Sequence, residues 1–94
     1  MINTASGRIV NLDDLYESLS SGDIAYAALD VTDPEPINMD HPILNLDNLT
    51  ILPHIASATV ETRKKMSKMT VDNILEGLQN KLPTYCVNSE NISW

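Results

Sequence analysis

Phenylalanine is absent from this 94-residue chain, and aromatic side chains make up only 4% of it. A single cysteine, Cys86, cannot close an internal disulfide, so a reducing compartment is the natural reading. Basic residues are scarce: six Lys and Arg against thirteen Asp and Glu give a net charge of −7. That balance excludes nucleic acid and anionic membrane as partners held by bulk electrostatics. No apolar run approaches the length of a membrane span. The opening segment MINTASGRIV lacks the charged and apolar regions of a secretion signal, and a soluble cytoplasmic protein is the expectation. The three glycines lie far apart, and no GxGxxG loop of the kind that cradles phosphates is present. There are no internal repeats and no low-complexity segment. With 43% hydrophobic residues, what is there suffices for a modest core in one small domain.

A short strand begins at Ile2. Asn11 is placed to cap a helix whose first turn carries Asp13 and Asp14, carboxylates that oppose the helix dipole. Leu12, Leu15, Tyr16 and Leu19 then fall at i, i+3, i+4 and i+7, one apolar stripe of an amphipathic helix, and Gly22 supplies the stop. Ile24 to Val31, IAYAALDV, reads as a strand buried on both faces of a parallel sheet. A long loop rich in Pro, Asp and Asn runs to Asp47, and Leu49 to Leu52 reads as a further buried strand. Thr59 can cap a last helix with Glu61 in its first turn, running to about Gln79 and ending before Pro83. Its apolar residues spread too widely for one narrow stripe, which suits a helix touching more than one surface. The order strand, helix, strand, loop, strand, helix predicts an α/β layer structure with parallel strands. Residues 83–94 show no pattern and are expected to be loosely ordered.

The stretch DVTDPEPINMDHPILNLDNLTILPHIASAT, Asp30 to Thr59, is the richest in chemistry. Proline fixes its own backbone angle and restricts the residue before it, so Pro34-Glu35-Pro36 is a stiff loop holding a carboxylate. Pro53-His54 puts an imidazole at the tip of an apolar run. A rigidly presented carboxylate and imidazole are what a general acid and its orienting partner require. From residue type alone, a strand-end cap and a solvated loop acid are the plainer reading. Asp30 ends a buried strand, where ligands sit in open α/β sheets, or else it is a turn acid. His41 beside Asp40 is too thin a set for a metal site, and no metal is expected. Arg63, Lys64, Lys65 and Lys68 form a basic run best read as a solvated helix face, and Cys86 as an incidental thiol.

PEP at 34–36, HP at 41–42 and ILPHIASAT at 51–59, with MINTASGRIVN and LYESLSSGDIAYAALDV upstream, resemble the NAD(P)-dependent D-2-hydroxyacid dehydrogenases, nearest to their glyoxylate reductase/hydroxypyruvate reductase branch. The resemblance covers roughly Met1 to Asn88. It implies the second half of a dinucleotide-binding domain, a partial Rossmann-like parallel sheet with a long C-terminal helix, over residues 1–82. It implies NAD(P)H as cofactor and a 2-keto or 2-hydroxy acid as substrate, with hydride passing to the carbonyl carbon and a proton to its oxygen. By the same resemblance His54 matches the proton-donating histidine and Glu35 its hydrogen-bonding glutamate. Asp30 matches a residue that bonds the nicotinamide carboxamide, Ala56 stands where the family has glycine in HIGSAT, and His41 belongs to a structural turn.

Beside Ala56, a mild departure from the family pattern, a more serious one weakens the expected activity. Ser6 occupies the position of the family arginine that grips the substrate carboxylate with a charged planar fork; serine offers one neutral hydrogen bond, and Arg8 lies two residues away. The phosphate loop and substrate domain are missing as well. The expectation is a chain inactive by itself, either a part of a reductase or a non-catalytic module that dimerises or pairs with a full-length relative.

Overall fold

The computed structural model describes residues 1–92, and its backbone packs as two units, Met1–Ala56 and a second beginning at Ser57. In the first unit the sequence signals for the first helix are realised as expected. The Asn11 side-chain oxygen accepts the N–H groups of Asp13 and Asp14 at 2.9 and 3.2 Å, so α1 begins at Leu12 and runs to Ser21. Gly22 ends it with φ of 83°, a left-handed geometry that glycine adopts without penalty. Leu12, Leu15 and Leu19 are buried along one side of α1 against Ala27, Leu29 and Ile43. Each leucine buried this way contributes about 2 kcal/mol.

Three short strands form one parallel sheet in the order β1 (Ile2–Asn3), β2 (Ala27–Leu29), β3 (Leu49–Ile51). The register pairs Ile2 with Ala28, and Ala28 with Thr50. Helix α1 connects β1 to β2. The connection from β2 to β3 is a long loop with one 3-10 turn, Pro42–Asn45. His41 opens that turn: its Nδ1 accepts the Ile43 N–H at 3.1 Å while Nε2 lies 3.2 Å from Asp13 Oδ1. The histidine therefore staples the loop to the start of α1, and Asp13, not neighbouring Asp40, is its acidic partner.

The expectation that residues 24–31 form a strand buried on both faces is corrected. The strand proper is three residues, and only the face carrying Ala27 and Leu29 is closed, by α1. On the other face Ile2 is 78% and Tyr26 49% exposed. Side chains alternate across a strand, so within Ala27–Leu29 the helix closes the face of Ala27 and Leu29 and leaves Ala28 only half-buried.

In the second unit, Thr59 caps α2 (Val60–Leu78) by accepting the Thr62 N–H at 3.2 Å. The helix closes with Asn80 in the left-handed region, φ 55°, and with the Lys81 N–H bonded to the Glu76 carbonyl at 2.9 Å. The following chain is tied back: Glu76 accepts both the N–H and the hydroxyl of Thr84, at 2.6 and 2.7 Å. Asn73 accepts the Tyr85 N–H at 3.1 Å. No residue of α2 is buried. No helix among the described residues is long and apolar enough to cross a membrane.

Candidate active site

Parallel pairing of β2 with β3 brings their carboxyl ends side by side, and this places the chemistry. The Leu52 N–H extends the ladder by bonding the Leu29 carbonyl at 2.8 Å. Asp30, leaving β2, therefore lies beside the chain that runs on to Pro53 and His54. Five residues past Asp30, Glu35 returns between its two prolines, both in cis peptide linkage. Its Oε1 sits 2.8 Å from His54 Nδ1. The two side chains singled out from the sequence thus meet, and contact through Nδ1 leaves Nε2 as the ring nitrogen free for exchange with a ligand. Both are partly open to solvent, 60% for His54 and 42% for Glu35.

His54 itself adopts φ of 56°, a left-handed backbone that is uncommon outside glycine and clusters at functional sites. The amides that follow it are held: Ile55 N–H and Ala56 N–H donate to the two carboxylate oxygens of Asp30, at 2.8 and 2.9 Å. Asp30 is buried, with 4% of its surface exposed. Burial, the largest single influence, pushes its carboxyl up; the Ala56 and Ile55 N–H groups and the nearby His54 outweigh it, so the net displacement is below the usual carboxylate value. Ala56 thus enters the site through its backbone. A cleft of about 420 Å³ opens beside the pair, walled by Asp30, Thr32, Glu35, Ile37, Leu52 and Pro53.

Ser6 is exposed, precedes a 3-10 turn without capping it, and contributes its carbonyl to the Asn3 side-chain amide at 2.8 Å. It is not among the residues lining the cleft. Arg8 is turned to Asp33, 3.7 Å away, with both side chains largely exposed. Gly7 was not marked out in the sequence, yet a Cβ built there would lie 2.1 Å from the carbonyl carbon and oxygen of Thr32. This glycine lets the loop carrying Glu35 approach the end of β1. Its nearest sequence signal is its place in the SGR triplet after the first strand. Among the described residues, no group of three or more His, Cys, Asp or Glu side chains is placed to hold a metal.

Residues 1–56 match the sequence model of the D-isomer specific 2-hydroxyacid dehydrogenase NAD binding domain. The chain belongs to that family. Among curated relatives, the human glyoxylate reductase/hydroxypyruvate reductase is 54% identical over 80 residues, covering 85% of this chain and 24% of the relative. Glyoxylate reductase of Thermofilum pendens is 42% identical across 96% of this chain and 26% of the relative. The crystal structure of an NADPH-dependent glyoxylate/hydroxypyruvate reductase of Sinorhizobium meliloti, in complex with NADP and malonate, superposes with a TM-score of 0.76. It is 38% identical and covers 94% of this chain and 27% of that one. A D-isomer specific 2-hydroxyacid dehydrogenase of Xanthobacter autotrophicus, in complex with NADPH and MES, gives 0.76 at 31% identity, over 96% and 36% of the two chains. The present chain spans about a quarter of the length of the curated relatives it matches. The partial Rossmann-like sheet expected from the sequence is thus the architecture of this dehydrogenase family.

The residues present fit one end of a dinucleotide. Gly7 is packed against Thr32, Gly22 closes α1 and Gly77 lies within α2, so none forms a phosphate cradle. The cleft and the His54–Glu35 pair, at the carboxyl ends of parallel strands, lie where an open α/β sheet receives its ligand; they suit the nicotinamide end alone.

Proposed function

We propose that this chain is the carboxyl-side part of the cofactor domain of a glyoxylate/hydroxypyruvate reductase, with His54 as its proton donor. The observation that carries the reading is the 2.8 Å contact between His54 Nδ1 and Glu35 Oε1 at the joint end of two parallel strands. Glu35 fixes the imidazole through Nδ1, and Nε2 presents a proton to the carbonyl oxygen of a 2-keto acid as negative charge develops there. The nicotinamide, when bound, supplies the hydride. Asp30, at the strand end, borders the cleft beside the ring.

Ser6 limits this chemistry. Replacing a charged, preorganised donor by a hydroxyl at a developing oxyanion costs about a hundred- to a thousand-fold in rate. A chimaera carrying residues 1–88 of this chain in a full-length relative is expected to reduce glyoxylate poorly, with kcat/KM restored about a hundred-fold or more by Ser6→Arg. Full activity of the unaltered chimaera would overturn the assignment of Ser6. Without a phosphate loop, the 94-residue chain is expected to bind NADH no better than millimolar, and a submillimolar dissociation constant in a fluorescence titration would contradict this. A second reading, a non-catalytic module that pairs with another copy or with a longer relative, is favoured by the open sheet face at Ile2 and Tyr26. The chimaera separates the two, because the module reading predicts no rescue by arginine.

A further inference from the structure

We propose that Asp30 is a positioning residue for His54: by gripping the Ile55 and Ala56 amides it locks the left-handed turn at His54 and so decides which ring nitrogen meets Glu35. The catalytic consequence rests on the reading of His54 as proton donor; the positioning itself does not. A residue with a Cβ resists left-handed backbone, so a turn at φ 56° needs an anchor. The ring contact is a weak one by itself, because a pair whose side chains are 60% and 42% exposed is loosened by water and salt. The firm hold is on the backbone. Asp30 is 4% exposed, and each of its oxygens takes one amide, at 2.8 and 2.9 Å. Its hydrogen bonds come from those amides and from no side-chain cation among the described residues. Asp30 and Glu35 belong to the same connection leaving β2, so one loop holds both the backbone and the ring of a residue just past the end of the neighbouring strand. With both oxygens committed inward, Asp30 acts on the chemistry through His54.

The test is nuclear magnetic resonance on the full chain labelled with nitrogen-15. The native protein is expected to show its neutral His54 ring as a single Nδ1–H tautomer, because the partner of one nitrogen sets the protonation of the other. It should also show slowly exchanging Ile55 and Ala56 amides. Asp30→Asn should turn the ring signal into a mixture containing the Nε2–H tautomer and speed exchange of the two amides by about tenfold or more, with α1 resonances unmoved. Asp30→Glu keeps the charge but places the oxygens one methylene too far, and should show the same loss. A retained single tautomer in Asp30→Asn, or its full recovery in Asp30→Glu, would overturn the proposal. Should both variants unfold, the native chain decides: Ile55 and Ala56 amides that exchange as fast as those of an unbonded loop would show that Asp30 does not hold them and refute the positioning role. In the chimaera, Asp30→Asn should lower kcat with KM little changed. An inactive chimaera whose His54 keeps the locked tautomer would sink the reductase reading and leave the positioning intact.

Discussion

His54 carries two demands, a left-handed backbone and an imidazole at its end, and no residue type satisfies both without penalty. His54→Ala and His54→Gly both remove the ring, but only glycine removes the backbone penalty as well. The glycine variant is expected to be about 1 kcal/mol more stable than the alanine variant in urea unfolding; equal stabilities would mean that the turn is not left-handed in solution. Gly7 makes the opposite demand. A methyl group there would meet the Thr32 carbonyl at 2.1 Å and the Asp33 nitrogen at 2.6 Å, backbone atoms that cannot swing aside. Gly7→Ala is expected to cost about 3 kcal/mol, a fall in Tm of roughly 10 °C or more, and to displace the loop that carries Glu35. A melting curve unchanged from the native one would show that the strand end and this loop do not pack as described.

Among the elements, the two α-helices were the most legible, because their boundaries are written in local chemistry. Asn11, Gly22 and Thr59 act on residues within a turn of themselves, and Asn11→Ala, which removes two hydrogen bonds, is expected to cost about 1 kcal/mol by thermal melting. The strands were legible in place but not in length or in facing, since IAYAALDV does not record that a single helix covers it. The meeting of Glu35 with His54 was readable from family motifs. The Asp30 hook was not: it joins residues 25 and 26 positions apart through backbone groups that every residue possesses. The Glu76 tether to Thr84 escaped notice for a similar reason. Its pH response has a definite sign. The Thr84 N–H, and then its hydroxyl, hold the Glu76 carboxyl below the ordinary glutamate value. The tether is therefore at full strength above about pH 4.3 and is lost as pH falls from there through the lowered value. The Thr84 and Tyr85 amide shifts should follow that transition, and Glu76→Gln should abolish it; shifts flat down to pH 2 or so would show the tether unformed.

For the molecule as a whole, exposed apolar surface and net charge pull self-association in opposite directions. Ile2 on β1, at the sheet edge, is 78% exposed, and Val71, Ile74 and Leu78 of α2 are 52%, 56% and 77% exposed. An open sheet edge and uncovered apolar side chains promote association. The chain also carries −7, and residues 1–56 hold nine acidic side chains against one basic, so like copies repel. At about 0.01 M salt that repulsion reaches some 30 Å, and at about 1 M only some 3 Å, while burial of apolar surface is not weakened by salt. Added salt is therefore expected to drive the chain from monomer toward dimer and larger species in sedimentation velocity. Ile2→Lys should reduce the effect by placing charge on the bare face of β1. Were the association ionic, through the basic run from Arg63 to Lys68 on one copy and the acidic unit of another, salt would disperse it instead; a fall in sedimentation coefficient with rising salt would rule out the apolar face as the contact.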